Sequence, residues 1–333
     1  MNIEFKQLPY TGLNADAVLA IKGSSFYWAR FFLGKRHAQR ATRLYRFCRY
    51  IDDIADEVLC NETAEAQLAL NDISQDISRK VSQNPITQDM LLLMQECDIA
   101  PGIILSLLEG VTQDLSPVMM QDTDALIRYC YLVAGTVGVM MCKILDIKDP
   151  RAYPFAIDLG IAMQLTNISR DVAADAKLGR CYLPLNTINT ITSADLTLDD
   201  LVMPPDEKKV DLQACLNKLL ILADSYYESS RYGLHFIDVK SRLSILVAAN
   251  VYRQIGVLLK ARQYQYWLGR VRVSKPTKML VTVNVFLKAL ITPHFWHFTY
   301  PYNQHKHDAT LHNALVDLPY ANTPANTIAQ EAS

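Results

Sequence analysis

Two carboxylates lie one helical turn apart in the segment Tyr45–Glu57, and they are the first candidates for chemistry in this chain. Asp52 and Asp56 share one helix face, because residues four apart are neighbours on a helix surface. Arg49 lies on that face too, whereas Asp53 is turned away by about 100°. The two carboxylates repel each other by on the order of a few tenths of a kcal/mol unless a cation lies between them. The spacing therefore indicates either a solvated face or a cation site.

A second polar stripe follows a strongly apolar helical pattern. Asn167, Asp171 and Asp175 are spaced by four residues, and Gln164 lies on the same side. Unpaired buried carboxylates are costly, so the stripe needs a cavity, a partner or a metal. An all-oxygen ligand set with neither His nor Cys nearby favours Mg²⁺ over zinc or copper, with Mn²⁺ as the alternative. Arg170 could simply form a salt bridge with the aspartates, but a salt bridge would not explain why Asn167 and Gln164 lie on the same stripe.

Both segments resemble the two signature segments of the squalene/phytoene synthases, a family of head-to-head prenyl diphosphate condensing enzymes. The matching stretches read CRYIDDIADE and QLTNISRDVAADAKLGRCYLP, and the resemblance runs from about Ser24 to Lys278. It implies an all-α fold, the isoprenoid-synthase helical bundle around a central apolar cavity. The departures are small: Ser169 replaces a usually apolar residue, and Ala173-Ala174 stand where Gly-Glu is common. Neither departure removes a ligand.

The resemblance also implies a role for individual residues of these and other segments. The implied metal ligands are Asp52, Asp56, Asn167, Asp171 and Asp175. The implied catalytic or diphosphate-contacting residues are Arg49, Tyr129, Asn167, Arg170 and Tyr252. The implied substrate contacts are Ser24, Ser25, Phe26, Val133, Val137, Gly138, Gln164, Lys177, Arg180 and Tyr182. The stretch that follows the second motif, with Lys177, Arg180 and Tyr182, is expected to form a flap over the diphosphates.

The stretch Val133–Gly138 is small and uncharged, so an isoprenoid chain could lie against its backbone. An equally good interpretation of the residues alone is that Gly135 and Gly138 allow two helices to pack closely. The family resemblance favours the cavity.

The elements that must position these residues are helices almost throughout, because apolar residues recur at three- and four-residue spacing. Leu183–Lys209 is the exception: it is rich in Thr, Asn, Asp and Pro and is predicted to be mostly loop. No period-two strand pattern appears. The predicted helices are Asp16–Phe32, Arg36–Leu59, Thr63–Val81, Gln88–Cys97, Pro101–Asp114, Thr123–Leu145, Tyr153–Ala176, Val210–Ile237, Lys240–Tyr266 and Met279–Leu290.

No internal linker marks a domain boundary, so residues 1–302 are predicted to form one domain. Residues 303–333 are polar and are expected to be a poorly ordered tail. Just before this tail, Ile291–Tyr302 is an aromatic cluster that most simply packs on the surface of its own domain. The alternative is a patch that contacts a membrane interface.

Composition limits the function classes further. The 333 residues carry 33 basic and 34 acidic side chains, a net charge of −1, and this balance argues against a nucleic-acid partner. Seven cysteines without a CxxC pair fit a reduced compartment. The N-terminus lacks an apolar signal-like run, and the longest strongly apolar stretch, Tyr129–Cys142, is too short to span a bilayer. We therefore expect a cytoplasmic protein, with peripheral contact to the inner face of the membrane as the alternative.

The family resemblance leads to a predicted reaction: condensation of two geranylgeranyl diphosphates to phytoene through a cyclopropylcarbinyl diphosphate. The segments Tyr252–Gly256 and Gly269–Lys275 look more like phytoene synthases than reducing squalene synthases, so no NADPH is expected. One alternative is condensation of farnesyl diphosphate to squalene, dehydrosqualene or a presqualene-type hopanoid precursor. Another is an inactive assembly subunit, against which the intact aspartates speak. The expected partners are the prenyl diphosphate substrates and downstream carotenoid enzymes.

Overall fold

The computed structural model describes residues 15–56, 62–187, 196–292, 295 and 306–321. Within these ranges the chain is helical almost throughout, as predicted. The α-helices are α1 (Ala15–Lys22), α2 (Ser24–Arg30), α3 (Lys35–Ala55), α4 (Thr63–Arg79), α5 (Pro85–Cys97), α6 (Pro101–Gln113), α7 (Thr123–Cys130), α8 (Thr136–Ile144), α9 (Tyr153–Lys177), α10 (Leu198–Val202), α11 (Asp206–Ser230), α12 (Val239–Ala261) and α13 (Lys275–Ile291).

Helix α9 lies at the centre of the bundle and packs against α8, α10, α11 and α12. Its sequence explains this position, because a helix that is apolar around most of its circumference must be covered on several sides. Ile157, Ile161 and Leu165 on α9 are completely buried. The second polar stripe is therefore carried by a helix that other helices cover on several sides.

Two predicted helices are interrupted. The predicted helix Asp16–Phe32 breaks at Gly23, where a Cβ atom would lie 2.7 Å from the Tyr45 ring, so this position must stay small. The predicted helix Thr123–Leu145 contains one π-helical turn, Tyr131–Gly135, between α7 and α8. Such turns re-aim the side chains around them and are frequent at functional sites.

Two helical stretches, Thr123–Ile144 and Val239–Ala261, are long and apolar enough to cross a membrane by length and composition. The first stretch is longer than the apolar run Tyr129–Cys142 of the sequence, because the helical stretch extends beyond both ends of that run. Both stretches pack in the bundle, and 61% and 33% of their most apolar windows are buried in it. The buried core helices of soluble proteins are often as long and as apolar as these two stretches, so length and composition give weak support for a membrane span.

A short parallel strand pair forms next to the second motif. Strand β1 (Val118–Met119) pairs with β2 (Arg180–Cys181), with Val118 opposite Arg180. Two-residue strands are too short to give a period-two pattern, so the sequence did not predict them. Gly179, with φ of +80°, turns the chain from the end of α9 into β2. The pair joins the end of α9 to the loop after α6.

Residues 306–321 fold onto the bundle through a 3₁₀ helix, Ala309–Leu315. His312, Leu315 and Ala321 are buried there. This segment therefore differs from the expected poorly ordered tail. Although its composition is polar, a few of its apolar and histidine side chains pack against the helices or form hydrogen bonds with them. Of the aromatic cluster Ile291–Tyr302, only residues 291, 292 and 295 are described, and the rest of that prediction lies outside the described residues.

Candidate active site

A cavity of about 310 Å³ lies between α2, α3, α8, α9 and α12. Its wall is mostly apolar, and the π-helical turn presents small side chains to it. A Cβ on Gly138 would lie 2.2 Å from the Ala156 carbonyl oxygen, so Gly138 both borders the cavity and allows close helix packing. The predicted site residues found in the lining are Phe26, Val133, Val137, Gly138, Gln164, Asp52, Asn167 and Tyr252.

Asp52 and Asp56 come from the C-terminal end of α3, at the polar end of the cavity. Burial, together with the charge of Asp56, raises the pKa of Asp52 to about 7, although Arg49 opposes this shift. Asp56 accepts a 2.7 Å hydrogen bond from Nη1 of Arg180, which is itself buried and also donates to the Ala55 carbonyl. The first motif thus meets the segment after the second motif.

The guanidinium of Arg49 binds a different carboxylate from those that share its helix face. It donates to Asp53, the carboxylate that the spacing turned away from the motif face, and its Nη2 lies 4.0 Å from Asp56 Oδ2. Asp53 is completely buried, and burial together with the charge of Asp56 raises its pKa to about 7 although it has this guanidinium partner. Because an arginine side chain is long, its position on a helix face does not decide which carboxylate it reaches. Arg49 remains beside the motif, as predicted, but its bonded partner is Asp53.

On α9, Asp171 is held by two arginines. Arg170 and Arg270 each bind both of its carboxylate oxygens, with 2.7 and 2.8 Å bonds from Arg270. Their charges hold the pKa of Asp171 below its usual range against the effect of burial. Asp175, one turn further, forms no ion pair with the described residues: burial and the charge of Asp171 raise its pKa to about 8, although the charge of Arg180 opposes this shift. Asp56 contributes to the same shift, which places the two motifs opposite each other.

Asn167 presents a buried carbonyl oxygen that is available to a ligand. Its Oδ1 is buried and has no hydrogen-bond partner among the described residues, while its Nδ2 donates to Gln164 over 3.4 Å. A buried carbonyl oxygen without a partner costs about 1–3 kcal/mol. With the adjacent carboxylates it completes an oxygen-only donor set, which fits a hard divalent cation. The residues present therefore suit the divalent metal that the resemblance implies.

Asp114 is a site residue that the motif analysis missed. It accepts hydrogen bonds from Tyr182 at 2.6 Å and from Tyr129 at 2.9 Å, and the two rings stack with centroids 4.7 Å apart. Burial raises its pKa, and its charge raises the pKa of Asp52 and Asp175 as well. One signal was available: Asp114 directly follows α6, where a helix disfavours a carboxylate. Arg270 is the other missed residue, and no spacing links it to Asp171, ninety-nine positions away.

Three predicted substrate contacts lie apart from this cluster in the described part of the chain. Ser24 is exposed and accepts a 3.1 Å hydrogen bond from Lys278, and neither Ser24 nor Ser25 belongs to the cavity lining. Lys177 is exposed at the end of α9. Their contact with substrate stays a prediction.

Comparison with known proteins gives a consistent result. The family model described as squalene/phytoene synthase matches residues 19–277. The 15-cis-phytoene synthase of Enterobacter agglomerans is 33% identical over 276 residues, which cover 80% of this chain and 91% of that protein. The 15-cis-phytoene synthase of Pantoea ananas is 31% identical over 288 residues, which cover 83% of this chain and 91% of that protein.

Solved structures agree with the fold. A dehydrosqualene synthase in complex with ligand superposes with a TM-score of 0.69 at 27% identity, covering 83% of this chain and 95% of that one. A squalene synthase from Alicyclobacillus acidocaldarius superposes with a TM-score of 0.64 at 18% identity, covering 75% and 93%. The bundle described above is therefore the fold of these synthases.

Proposed function

The chain belongs to the squalene/phytoene synthase family, and we propose that it condenses two geranylgeranyl diphosphates head to head to phytoene. The observation that carries this proposal is the form of the cavity: an apolar chamber whose polar side chains are Asp52 of α3 and Gln164 and Asn167 of α9, next to the other motif aspartates. Prenyl diphosphates have the same division, with a charged head and a long hydrocarbon chain. The proposal makes the protein a prenyltransferase of carotenoid biosynthesis.

The metal ligands in this proposal are Asp52, Asp56, Asn167, Asp171 and Asp175, and the metal is Mg²⁺, with Mn²⁺ as a substitute. When bound, such a cation neutralises the charge that develops on a departing diphosphate. Few carboxylates are needed for each ion, because Mg²⁺ keeps several waters and binds substrate phosphate oxygens.

Arginines surround these carboxylates and supply the remaining positive charge for diphosphate binding. Arg49 and Arg180 stand beside Asp56, and Arg170 and Arg270 beside Asp171. Arg270 is half exposed, so its guanidinium is positioned to bind a diphosphate that arrives from solvent. Charge placed in advance around the leaving group lowers the barrier to ionisation.

The apolar wall protects the allylic cation that ionisation produces. Val133 and Val137 offer no nucleophile, and water that reached the cation would end the reaction as an alcohol. Phe26 and Tyr252 face each other with ring centroids 5.0 Å apart, and aromatic faces attract a cation. The double bond of the second substrate attacks the first cation, and loss of a proton then closes the cyclopropane ring of the cyclopropylcarbinyl diphosphate. A second ionisation, a rearrangement and the loss of a proton then give the product.

Product analysis tests this function. With Mg²⁺ and geranylgeranyl diphosphate alone, we expect a forty-carbon hydrocarbon with a central conjugated triene and two diphosphates per product. Adding NADPH changes neither rate nor product, because the reaction ends by proton loss. Faster consumption of farnesyl diphosphate, or product only with NADPH, would assign the chain to the squalene branch. Absence of diphosphate release from both substrates would identify an inactive subunit.

The raised pKa values predict how stability depends on pH without metal. Unfolded aspartates lose their protons near pH 4. Folded Asp52 and Asp175 keep theirs until about 7 and about 8. The free energy of unfolding therefore falls as pH rises from 5 to 8.5 in the presence of a chelator. The low pKa of Asp171 does not offset this fall, because that carboxylate is already ionised throughout the range.

Urea denaturation at several pH values, with chelator or with excess Mg²⁺, measures this effect. Saturating Mg²⁺ should reduce the pH dependence, because the cation replaces the protons on Asp52 and Asp175, whereas Asp53 lies outside the metal ligands and keeps its contribution. A metal-free stability that rises steadily from pH 5 to 8.5 would contradict the description of the site.

The long apolar substrates and product also favour a position at the inner face of the cytoplasmic membrane, and α13 offers a surface for it. Six apolar side chains along this helix are exposed, and Lys288 lies among them as a basic partner for anionic lipids. We propose that this surface of α13 contacts the membrane, so that the contact is not limited to the predicted aromatic cluster. Its residues are Met279, Leu280, Val283, Leu287, Leu290 and Ile291.

Vesicle sedimentation measures this contact. Replacing Leu280 and Leu287 by Gln should lower binding to anionic vesicles at least about tenfold, since each buried apolar side chain contributes about 1.5–3 kcal/mol. Leu68→Gln is the matched control, because Leu68 is equally exposed on α4. Equal partitioning of the double variant and the control would exclude α13 as the contact.

A further inference from the structure

A second set of metal-type ligands lies where the C-terminal segment meets α9. Asp158 is completely buried on α9 and is not part of the cavity lining. His307 and His312 reach it from the segment 306–321, which follows the residues matched by the family. The three side chains offer ligand atoms that all lie within 4.8 Å of one another.

Each carboxylate oxygen of Asp158 faces one imidazole. Its Oδ1 lies 2.8 Å from Nε2 of His312, and its Oδ2 lies 2.9 Å from Nε2 of His307. Ser229 donates to the same Oδ2 over 2.6 Å, which fixes the carboxylate. His312 is completely buried, whereas His307 is partly exposed. Three ligand atoms therefore converge on one small region at the edge of the bundle core.

The hydrogen bond of the outer nitrogen of His312 identifies the tautomer of the ring. Its Nδ1 lies 2.8 Å from the carbonyl oxygen of Ala321, which can only accept, so Nδ1 carries a proton. In a neutral ring Nε2 is then a lone pair, and it faces a carboxylate oxygen. Two lone pairs at 2.8 Å need either a proton or a metal ion between them. A backbone carbonyl on Nδ1 with Nε2 directed inward is the arrangement typical of metal-ligating histidines.

The neighbouring ring completes the ligand group. The two imidazole centroids lie 4.3 Å apart, which brings both Nε2 atoms within reach of one ion beside the carboxylate. One metal ion would serve both Nε2 atoms while each ring stays neutral.

We propose that Asp158, His307 and His312 form a binding site for a divalent transition metal of the Zn²⁺ class. Two imidazoles and one carboxylate are a ligand set that suits zinc, with Ser229 or a water as the fourth ligand. Bond lengths of about 2.0–2.1 Å require the nitrogen–oxygen separations to open by only about 0.5 Å. The ion would fix residues 306–321 on the bundle. It would be distinct in ligand chemistry from the oxygen-only site at the cavity.

Cobalt binding tests this site on the full-length chain. After metal is stripped with a chelator, excess Mg²⁺ is added to occupy the oxygen ligands, and Co²⁺ is titrated while visible absorption is recorded. We expect one Co²⁺ per chain with the absorption of four-coordinate cobalt, displaced by one equivalent of Zn²⁺. Zn²⁺ should also raise the Tm by about 5 °C.

Histidine variants locate the binding. His312→Gln and His307→Gln should each lose the absorption band and the Zn²⁺-dependent Tm shift. Asp171→Asn and His37→Gln should keep both, because these residues lie outside the group. If His312→Gln does not fold, His307→Gln decides whether the site exists, because His307 is partly exposed and its replacement should leave the protein folded. Absence of a stoichiometric band in the full chain, or a band that persists in the His307 variant, would overturn the proposal.

Discussion

Asp52→Asn lowers the turnover of geranylgeranyl diphosphate by at least about a thousandfold, and the protein stays folded. Stabilisation of the leaving group is usually the largest single contribution to such a rate, and loss of one ligand charge removes part of it. The fold does not need this charge, because burial already raises the pKa of Asp52 to about 7 in the metal-free protein. The same substitution should therefore raise the free energy of unfolding at pH 8.5 while it removes activity. Steady-state diphosphate release and urea denaturation measure the two effects.

Asp171→Asn gives the same loss of turnover but the opposite change in stability. Its carboxylate pairs with Arg170 and Arg270, so removing the charge leaves the buried Arg170 less compensated. Asp206→Asn is the matched control, since Asp206 is almost fully exposed at the start of α11 and should leave turnover unchanged. Near-normal turnover in either Asp52→Asn or Asp171→Asn would refute the assignment of the metal ligands.

Arg180→Gln has the second large expected effect, a loss of about 3 kcal/mol in the free energy of unfolding together with a fall in turnover of at least about a hundredfold. Arg180 is buried and donates to Asp56 at 2.7 Å, to the Ala55 carbonyl at 2.9 Å and to the Asp114 carbonyl at 3.1 Å. A glutamine is shorter and uncharged, so it would leave buried carboxylates and carbonyls without their partner. The pKa of Asp175 should rise further, since Arg180 opposes its shift.

Denaturation and diphosphate release on the same preparation separate the two parts of this prediction. Excess Mg²⁺ should restore part of the stability of Arg180→Gln, because the cation replaces the missing positive charge, whereas turnover stays low. Arg231→Gln is the control, because Arg231 is an exposed arginine that pairs with Glu228 near the surface. Equal stability of the two variants would show that the link between α3 and β2 is not a structural one.

The sequence by itself determined the helices and the two polar stripes. Apolar spacing is a local property, so the bounds of α4, α5 and α9 agree with the predicted ones to within a few residues. The four-residue spacing of Asp171 and Asp175 likewise follows from helix geometry alone. The central position of α9 was indicated by its nearly continuous apolar surface. Local pattern thus determined which residues could form the site.

Only the tertiary structure decided which side chains meet. Arg270 reaches Asp171 across ninety-nine positions, and Asp114 joins Tyr129 and Tyr182 from three separate segments. Such contacts depend on how helices pack and loops close, and no periodicity encodes them. The docking of residues 306–321 has the same cause: its stability comes from buried contacts with distant helices, which a polar local composition conceals. Local interactions are encoded over one or two helical turns, whereas the site depends on long-range packing.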